Sequence, residues 1–125
     1  MTMLGHLSFG VSDLARSAEF YDRILAPLGY VRVWSNPRGS GFGEAGGGDK
    51  LALFARGGPV AAPGPGFHLA FTAPSREAVD AFHAAALQAG GGDCGAPGLR
   101  PHYGATYYAA FVLDLDWYKL EAVRK

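Results

Sequence analysis

The sequence has few cysteines, no net charge and no long apolar run. Cys94 is the only cysteine among 125 residues, which excludes an internal disulfide and a thiolate-based metal cluster and is typical of a reducing compartment. Eleven basic and eleven acidic residues cancel, so the composition favours neither a nucleic acid nor a membrane as partner. No apolar run approaches the ~18 residues of a membrane span, and no signal peptide pattern is present. We expect a single cytoplasmic domain over residues 1–125.

What the sequence does contain is an internal repeat. His6-Leu7-Ser8-Phe9 can be placed over His68-Leu69-Ala70-Phe71 without a gap, and the same alignment pairs two helix-capping residues, Asp13 and Ser75. It also pairs Phe20 with Phe82, Leu25 with Leu87 and Gly29 with Gly91. The repeat predicts two modules, residues 1–57 and 66–125, joined by a linker over residues 58–65.

Each module is predicted to have the order βαβββ, in an α+β fold. Short apolar segments at residues 4–11 and 67–73 are typical of strands, and the apolar spacing of three and four that follows each of them is typical of a helix. Further strands are expected at residues 30–35, 41–44 and 50–55, and at 92–96, 107–113 and 117–123. The stretch 37–48, rich in glycine and proline, is interpreted as mainly loop. We expect the two modules to form a cup-shaped mixed sheet with the helices outside.

A second alignment covers the last strand of each module. Lys50-Leu51-Ala52-Leu53 lies over Lys119-Leu120-Glu121-Ala122. The second module therefore has a carboxylate, Glu121, where the first has only Ala52.

Strand alternation predicts a metal site. His6, His68 and Glu121 each have apolar neighbours on both sides, so their side chains are expected on the concave face, together with Ser8. One histidine at a strand start is more often a hydrogen-bonded structural residue, but two at repeated positions with a carboxylate favour metal binding. The expected cofactor is one divalent ion, zinc, nickel, manganese or iron, with positions open to substrate or water.

Other side chains have two interpretations each. His102 is either a pocket acid or base or a solvated loop residue, and His83 is interpreted as a flanking residue of the second helix. The aromatic residues Trp34, Phe54 and Tyr103 are candidates for substrate binding together with Ser8. They could equally belong to the core or to a dimer contact.

At this point the sequence resembles the vicinal oxygen chelate superfamily of glyoxalases, bleomycin-resistance proteins and extradiol dioxygenases. The likeness lies in residues 5–14 (Gly-His-Leu-Ser-Phe-Gly-Val-Ser-Asp-Leu), Phe20-Tyr21, Leu28-Gly29-Tyr30, residues 67–71, residues 78–82, Phe111-Val112-Leu113-Asp114 and Leu120-Glu121-Ala122-Val123. The resemblance implies paired βαβββ modules, a metal in the cup held by His6, His68 and Glu121, and commonly a homodimer.

The sequence departs from that family pattern at two places. Ala52 stands where lactoylglutathione lyases have a fourth ligand, which leaves a trio like that of the extradiol dioxygenases. By that likeness, His102 and Tyr108 become acid–base candidates beside a catalytic Glu121. The turn usually written Asp-Pro-Asp-Gly-Asn reads Asp114-Leu115-Asp116-Trp117-Tyr118 here.

The resemblance implies a metal-dependent enzyme, a lyase or dioxygenase, that acts on a small substrate chelated through neighbouring oxygens. The alternative is a metal-free small-molecule binding protein of the antibiotic-sequestering kind. A third possibility is a dimeric scaffold without catalysis.

Overall fold

The computed structural model describes residues 3–125. The first module consists of β1 (Leu7–Val11), α1 (Leu14–Leu25), a 3-10 turn (Ala26–Leu28), β2 (Val31–Asn36), β3 (Gly39–Gly43) and β4 (Leu51–Ala55). The second consists of β5 (Leu69–Thr72), α2 (Arg76–Gln88), β6 (Gly92–Leu99), β7 (Tyr108–Leu113) and β8 (Lys119–Arg124). The predicted α+β fold with two βαβββ repeats is confirmed.

The eight strands of residues 3–125 form two mixed sheets of four, one from each module. The strand orders are β1-β4-β3-β2 and β5-β8-β7-β6. In each sheet the first strand runs parallel to the last, which the intervening helix makes possible, and the other pairs are antiparallel. Strands β1 and β5 are equivalent edge strands, so each has one edge that is unpaired in the sheet.

Both helices begin where the sequence predicts. The Asp13 side chain accepts a hydrogen bond from the Arg16 backbone N–H at 3.2 Å, and the Ser75 hydroxyl accepts one from the Ala78 N–H at 3.1 Å. Each bond satisfies a backbone donor that has no partner within the helix. The repeated caps therefore start both helices at equivalent points.

The glycine-rich stretch differs from the prediction. Strand β3 occupies Gly39–Gly43, so the loop expected over residues 37–48 is shorter. The glycines leave space for aromatic rings on the same face, since a Cβ on Gly41 would lie 2.0 Å from Trp34 Nε1 and one on Gly39 would lie 2.9 Å from Phe54 Cδ1. Glycine here permits ring packing on a strand, which its low strand propensity conceals in the sequence.

The helix-bearing sides of the two sheets share one core. Helices α1 and α2 contact each other, and a single cluster joins Phe9 and Leu53 of the first module to Val112 and Leu120 of the second. Since the residues that alternate with these core residues point away from it, the open faces of the two sheets lie on opposite outer sides of the chain.

Buried polar contacts hold the two modules together. In the β7–β8 turn, Asp114 Oδ2 accepts a hydrogen bond from the Tyr21 hydroxyl at 2.5 Å, and Asp116 accepts bonds from the backbone N–H and the hydroxyl of Ser12. Burial raises the pKa of Asp114, although the Tyr21 bond opposes the shift. In the same turn Trp117 has a φ of 72°, a left-handed conformation that is strained for a residue other than glycine. The sequence pattern of the resembled family has glycine at this position.

No helix within residues 3–125 is long and apolar enough to cross a membrane.

Candidate functional site

Glu121 is the centre of the candidate site. It lies in the middle of β8, with Ala70 of β5 and Phe111 of β7 as its ladder partners. Its neighbours Leu120 and Ala122 belong to the shared core, so alternation directs the Glu121 side chain to the open face of the second sheet. It is nevertheless only 1% exposed. A carboxylate buried to this degree requires hydrogen-bonding partners.

His68 is one of those partners. Its Nε2 atom lies 3.2 Å from Glu121 Oε1, and its side chain is 44% exposed. The imidazole ring also lies edge-on to Phe111, with 5.9 Å between the ring centroids. Glu121 is thus buried in the sheet, whereas His68 is partly exposed to solvent.

Tyr107 is the second partner, and sequence reasoning missed it. Its hydroxyl donates to Glu121 Oε2 at 2.5 Å. Burial and this bond to the carboxylate raise the pKa of Tyr107 to about 12, so the hydroxyl keeps its proton near neutral pH. Because Glu121 pairs with Phe111, alternation along β7 places residues 107, 109 and 111 on the face of Glu121, and that signal could have found Tyr107.

Tyr108, the acid–base candidate, lies on the other side of the sheet. Its hydroxyl donates to Asp80 of α2 at 2.6 Å, and the Arg76 guanidinium lies 5.1 Å from the ring centroid. The structure therefore does not bring Tyr108 to Glu121, and the adjacent Tyr107 occupies the position that had been expected of Tyr108. His83, expected at the flank of α2, likewise lies outside the site and contacts Asp93 at 2.9 Å.

His102 and Tyr103 lie at the edge of the same face. Their rings are 4.2 Å apart, and Tyr103 is 5.2 Å from the ring of Tyr107. Tyr103 is 61% exposed, so it is accessible to a ligand. His102 is exposed. Its ring contacts that of Tyr103, which in turn contacts Tyr107, the hydrogen-bond donor to Glu121.

The first-module candidates share a different face. Val11 of β1 is in the core and Phe9 packs against it, which directs His6 and Ser8 to the open face of the first sheet; both are exposed. Trp34 and Phe54 lie there too, with ring centroids 6.0 Å apart. The structure thus brings Trp34 and Phe54 together, on the same face as Ser8.

Residues 3–125 of one chain do not form a complete metal site. Among residues 3–125 no group of three or more His, Cys, Asp or Glu side chains is arranged to hold a metal, so His6 is not with His68 and Glu121. The pair that does form fits one ion. Its 3.2 Å separation is near the ~3 Å between neighbouring ligand atoms that each lie about 2.0–2.2 Å from a zinc ion.

A cavity of about 620 Å³ lies elsewhere, between the two sheets. It is lined by residues of both modules, among them Leu7, Tyr30, Phe42 and Phe71. The Tyr30 hydroxyl donates to the Thr72 carbonyl at 2.8 Å beside it. None of the candidate site residues lines this cavity.

The sequence and the fold are similar to those of known proteins. The family model for the Glyoxalase/Bleomycin resistance protein/Dioxygenase superfamily matches residues 3–122. A glyoxalase/bleomycin resistance protein from Albidiferax ferrireducens is 34% identical, with a TM-score of 0.83 and 99% of each chain covered. A glyoxalase-related enzyme from Fulvimarina pelagi is 23% identical, with a TM-score of 0.74, over 98% of this chain and 88% of that one.

A third similar structure shows the same fold within a longer protein. A glyoxalase I variant from Zea mays is 22% identical with a TM-score of 0.72, over 94% of this chain and 44% of that one. No curated protein matches the chain. The match to the family model over nearly all of the sequence shows that the chain belongs to the glyoxalase/bleomycin resistance protein/dioxygenase superfamily.

Proposed function

We propose that the protein is a divalent-metal-dependent enzyme of the glyoxalase/dioxygenase type, acting on a small substrate that is chelated through neighbouring oxygens. The observation that carries the proposal is Glu121, a carboxylate 1% exposed whose Oε1 atom lies 3.2 Å from His68 Nε2. His68 and Glu121 would supply two ligands and His6 the third. Such a trio leaves coordination positions for a substrate. A bound ion would act as a Lewis acid on the substrate oxygens.

We infer that His6 comes from a second copy of the chain. The open face carrying His6 and the open face carrying Glu121 are on opposite sides of one chain, whereas β1 and β5 each have an unpaired edge. If the partner's β1 lay beside β5, the two sheets would form the expected eight-stranded cup and His6 of the partner subunit would approach His68. A homodimer of this kind would contain two equivalent sites.

The in-chain residues would set the geometry of the site. The Tyr107 hydroxyl occupies Glu121 Oε2 and leaves Oε1 directed at His68, which orients the carboxylate before any ion binds. Trp34 and Phe54 from the partner would supply apolar contacts opposite Tyr103, and Ser8 a hydroxyl. His102, at the edge of the face, is the remaining acid–base candidate, since Tyr108 lies on the other side of the sheet. The proposed location stays the cytoplasm, since the single thiol suits a reducing compartment.

Metal analysis of purified protein tests the proposal. We expect about one divalent ion per chain, lost in Glu121→Ala and in His6→Ala. His83→Ala is the matched control, because that histidine contacts Asp93 outside the site, and it should keep the ion. Absence of metal from both the wild-type protein and Glu121→Ala would contradict the proposal.

Mixed dimers test the contribution of the partner. Glu121→Ala chains and His6→Ala chains, each unable to bind metal alone, should form mixed dimers in part when unfolded together and refolded, and each mixed dimer should bind one ion. One of the two sites then combines wild-type His6 with wild-type Glu121. If both ligands came from the same chain, the mixture would bind no more metal than its components.

The second candidate function, metal-free binding, is favoured by one observation. The carboxylate of Glu121 already has Tyr107 and His68 as partners, and within residues 3–125 no buried side-chain polar atom lacks a hydrogen bond. The buried carboxylate thus has hydrogen-bonding partners from the chain itself. Thermal unfolding with and without a chelator separates the two functions, because an ion that binds only the folded state raises the melting temperature.

A further inference from the structure

Two cations lie on the open face of the second sheet beside Glu121. Lys119 is two residues before Glu121 on β8 and therefore shares its face. The Lys119 Nζ atom is 5.0 Å from the centroid of the Phe111 ring, and the Arg100 guanidinium carbon is 5.5 Å from it. Phe111 is the ladder partner of Glu121. Both positive charges therefore lie next to the candidate site.

Neither cation has an acidic partner among the residues that the structure describes. The ion pairs of residues 3–125 join Arg32 to Asp22, His68 to Glu121 and His83 to Asp93. Arg100 instead donates to two backbone carbonyls, Ala96 O at 2.8 Å and Gly98 O at 2.9 Å. These bonds fix the guanidinium group in position without neutralising it, and contact with an aromatic ring compensates a positive charge only in part.

The excess of positive charge is local. The whole chain has eleven acidic and eleven basic residues. Apart from Glu121, the acids lie on or beside α1 and α2, in the β3–β4 loop, at the start of β6 and in the β7–β8 turn: Asp13, Glu19, Asp22, Glu44, Asp49, Glu77, Asp80, Asp93, Asp114 and Asp116. Of these, Asp93 near the start of β6 contacts His83 of α2. Among the described residues of β6, β7 and β8, Glu121 is thus the carboxylate on the face of Lys119 and Arg100.

We propose that the site takes a small organic anion, with Lys119 and Arg100 binding its carboxylate or phosphate group. The exposed ring of Tyr103, which lies 5.2 Å from the ring of Tyr107 on this face, would contact the carbon skeleton. The proposal rests on the proposed function for the position of the chelating oxygens, which would lie at His68 and Glu121. The anion subsite itself requires no metal.

Matched pairs of probes test it. Protocatechuate and its methyl ester share two neighbouring hydroxyls and differ in one charge, and phenyl phosphate and phenol differ in a phosphate. Calorimetric titration of chelator-treated protein should show the anion of at least one pair binding about tenfold more tightly than the neutral member, the size of one hydrogen bond to a charged group. Preference in the first pair alone indicates a carboxylate, and in the second alone a phosphate. Equal binding of both members, or binding of neither, in both pairs overturns the proposal.

Variants assign the preference to the two cations. Lys119→Gln and Arg100→Gln should each remove most of it, whereas Lys119→Arg and Arg100→Lys keep the charge and should retain most of it. Arg76→Gln is the matched control, because Arg76 makes the same kind of contact with Tyr108 on the helix side of the sheet, and it should leave the preference unchanged. A preference that survives both glutamine variants contradicts the assignment.

A further variant separates this inference from the proposed function. Glu121→Gln should lose the metal and keep the preference for the anion. If wild-type protein contains no metal but still prefers anions, the proposed function fails and the anion subsite stands. If the protein binds metal but shows no such preference, the subsite alone is wrong.

Discussion

The open faces of the two sheets show the same row of four positions filled in different ways. In the first sheet the row is Ser8, Ala52, Gly41 and Trp34; in the second it is Ala70, Glu121, Phe111 and Gly95. Each row pairs one large aromatic side chain with one glycine. The aromatic residue is on β2 and the glycine on β3 in the first sheet, whereas the aromatic residue is on β7 and the glycine on β6 in the second. A Cβ on Gly41 would lie 2.0 Å from Trp34 Nε1, and one on Gly95 would lie 3.2 Å from Phe111 Cδ1.

The two rows have the same aromatic packing, but only the second has a carboxylate with hydrogen-bonding partners. In the second sheet Phe111 stands directly beside Glu121, and Tyr107 and His68 satisfy the carboxylate. In the first sheet Trp34 covers Gly41, and Ala52 is 2% exposed with no polar group to satisfy. The repeat thus preserves the face and its aromatic filling, while the carboxylate with its supporting tyrosine is found in the second module alone. Three substitutions test this contrast.

The largest effect on stability is expected from placing a carboxylate in the first row, at the position equivalent to Glu121. Ala52→Glu would place a charge at a buried position with no partner equivalent to Tyr107, and would overpack the space beneath Trp34. We expect a loss of about 4 kcal/mol in the free energy of unfolding, measured by urea denaturation in the presence of a chelator.

Ala52→Gln separates volume from charge in that experiment. It has nearly the same size as glutamate without the charge, and should lose about 2 kcal/mol. If the two variants are equally stable, charge contributes nothing at this position. If Ala52→Glu is as stable as the wild-type protein, the first row tolerates a carboxylate and the contrast between the sheets is wrong.

A smaller effect is expected from Gly41→Ala. The added methyl group would overlap the Trp34 ring, so the indole must move out over the face at a cost of about 2 kcal/mol. The melting temperature should fall, and the Trp34 emission should shift as the ring becomes more exposed. Gly48→Ala is the control, since no atom lies within 4 Å of a Cβ at that position, and it should leave both measurements unchanged.

Side-chain direction on each sheet could be predicted from the sequence. Alternation along a strand depends on local backbone geometry, and it predicted that His6, Ser8, His68 and Glu121 point away from the helices. The sequence placed them on one concave face, whereas the first two lie on the open face of the first sheet and the last two on that of the second. The repeat also identified Ala52 of the first module as the position equivalent to Glu121 of the second. Tyr107 was missed although the predicted strand over residues 107–113 included it, because the family likeness assigned the acid–base role to Tyr108, one residue away on the opposite face.

The arrangement of the two sheets could not be predicted in the same way. It depends on contacts such as those of Tyr21 with Asp114 and Ser12 with Asp116, whose partners are 93 and 104 residues apart. No periodic pattern reports pairs so distant in sequence. The sequence therefore predicted His6, His68 and Glu121 in one cup within one chain. In the structure the two open faces lie on opposite sides of the chain. The start of strand β3 was missed for a related reason. Its glycines are explained by the aromatic rings that cover them, and those contacts are not visible in the sequence.

The smallest of the three effects is expected from Tyr107→Phe. Removing the hydroxyl leaves Glu121 Oε2 without its donor, and because Tyr107 is partly exposed, water can replace part of the bond. The loss should be about 1 kcal/mol at neutral pH. Tyr108→Phe is the matched control: it removes a bond to Asp80 at the protein surface, and should cost less and leave metal binding unchanged.

The pH dependence of stability sharpens the same comparison. The pKa of Tyr107 is about 12 in the folded protein and about 10 in an unfolded chain. Since the folded-state pKa is the higher one, the contribution of this group is present in full below pH ~10 and is lost as the pH rises toward ~12. The wild-type protein should lose stability in that range more steeply than Tyr107→Phe, as followed by urea denaturation at each pH. Parallel curves would mean that Tyr107 does not hold its proton for Glu121, and the second row would then lack the support that distinguishes it from the first.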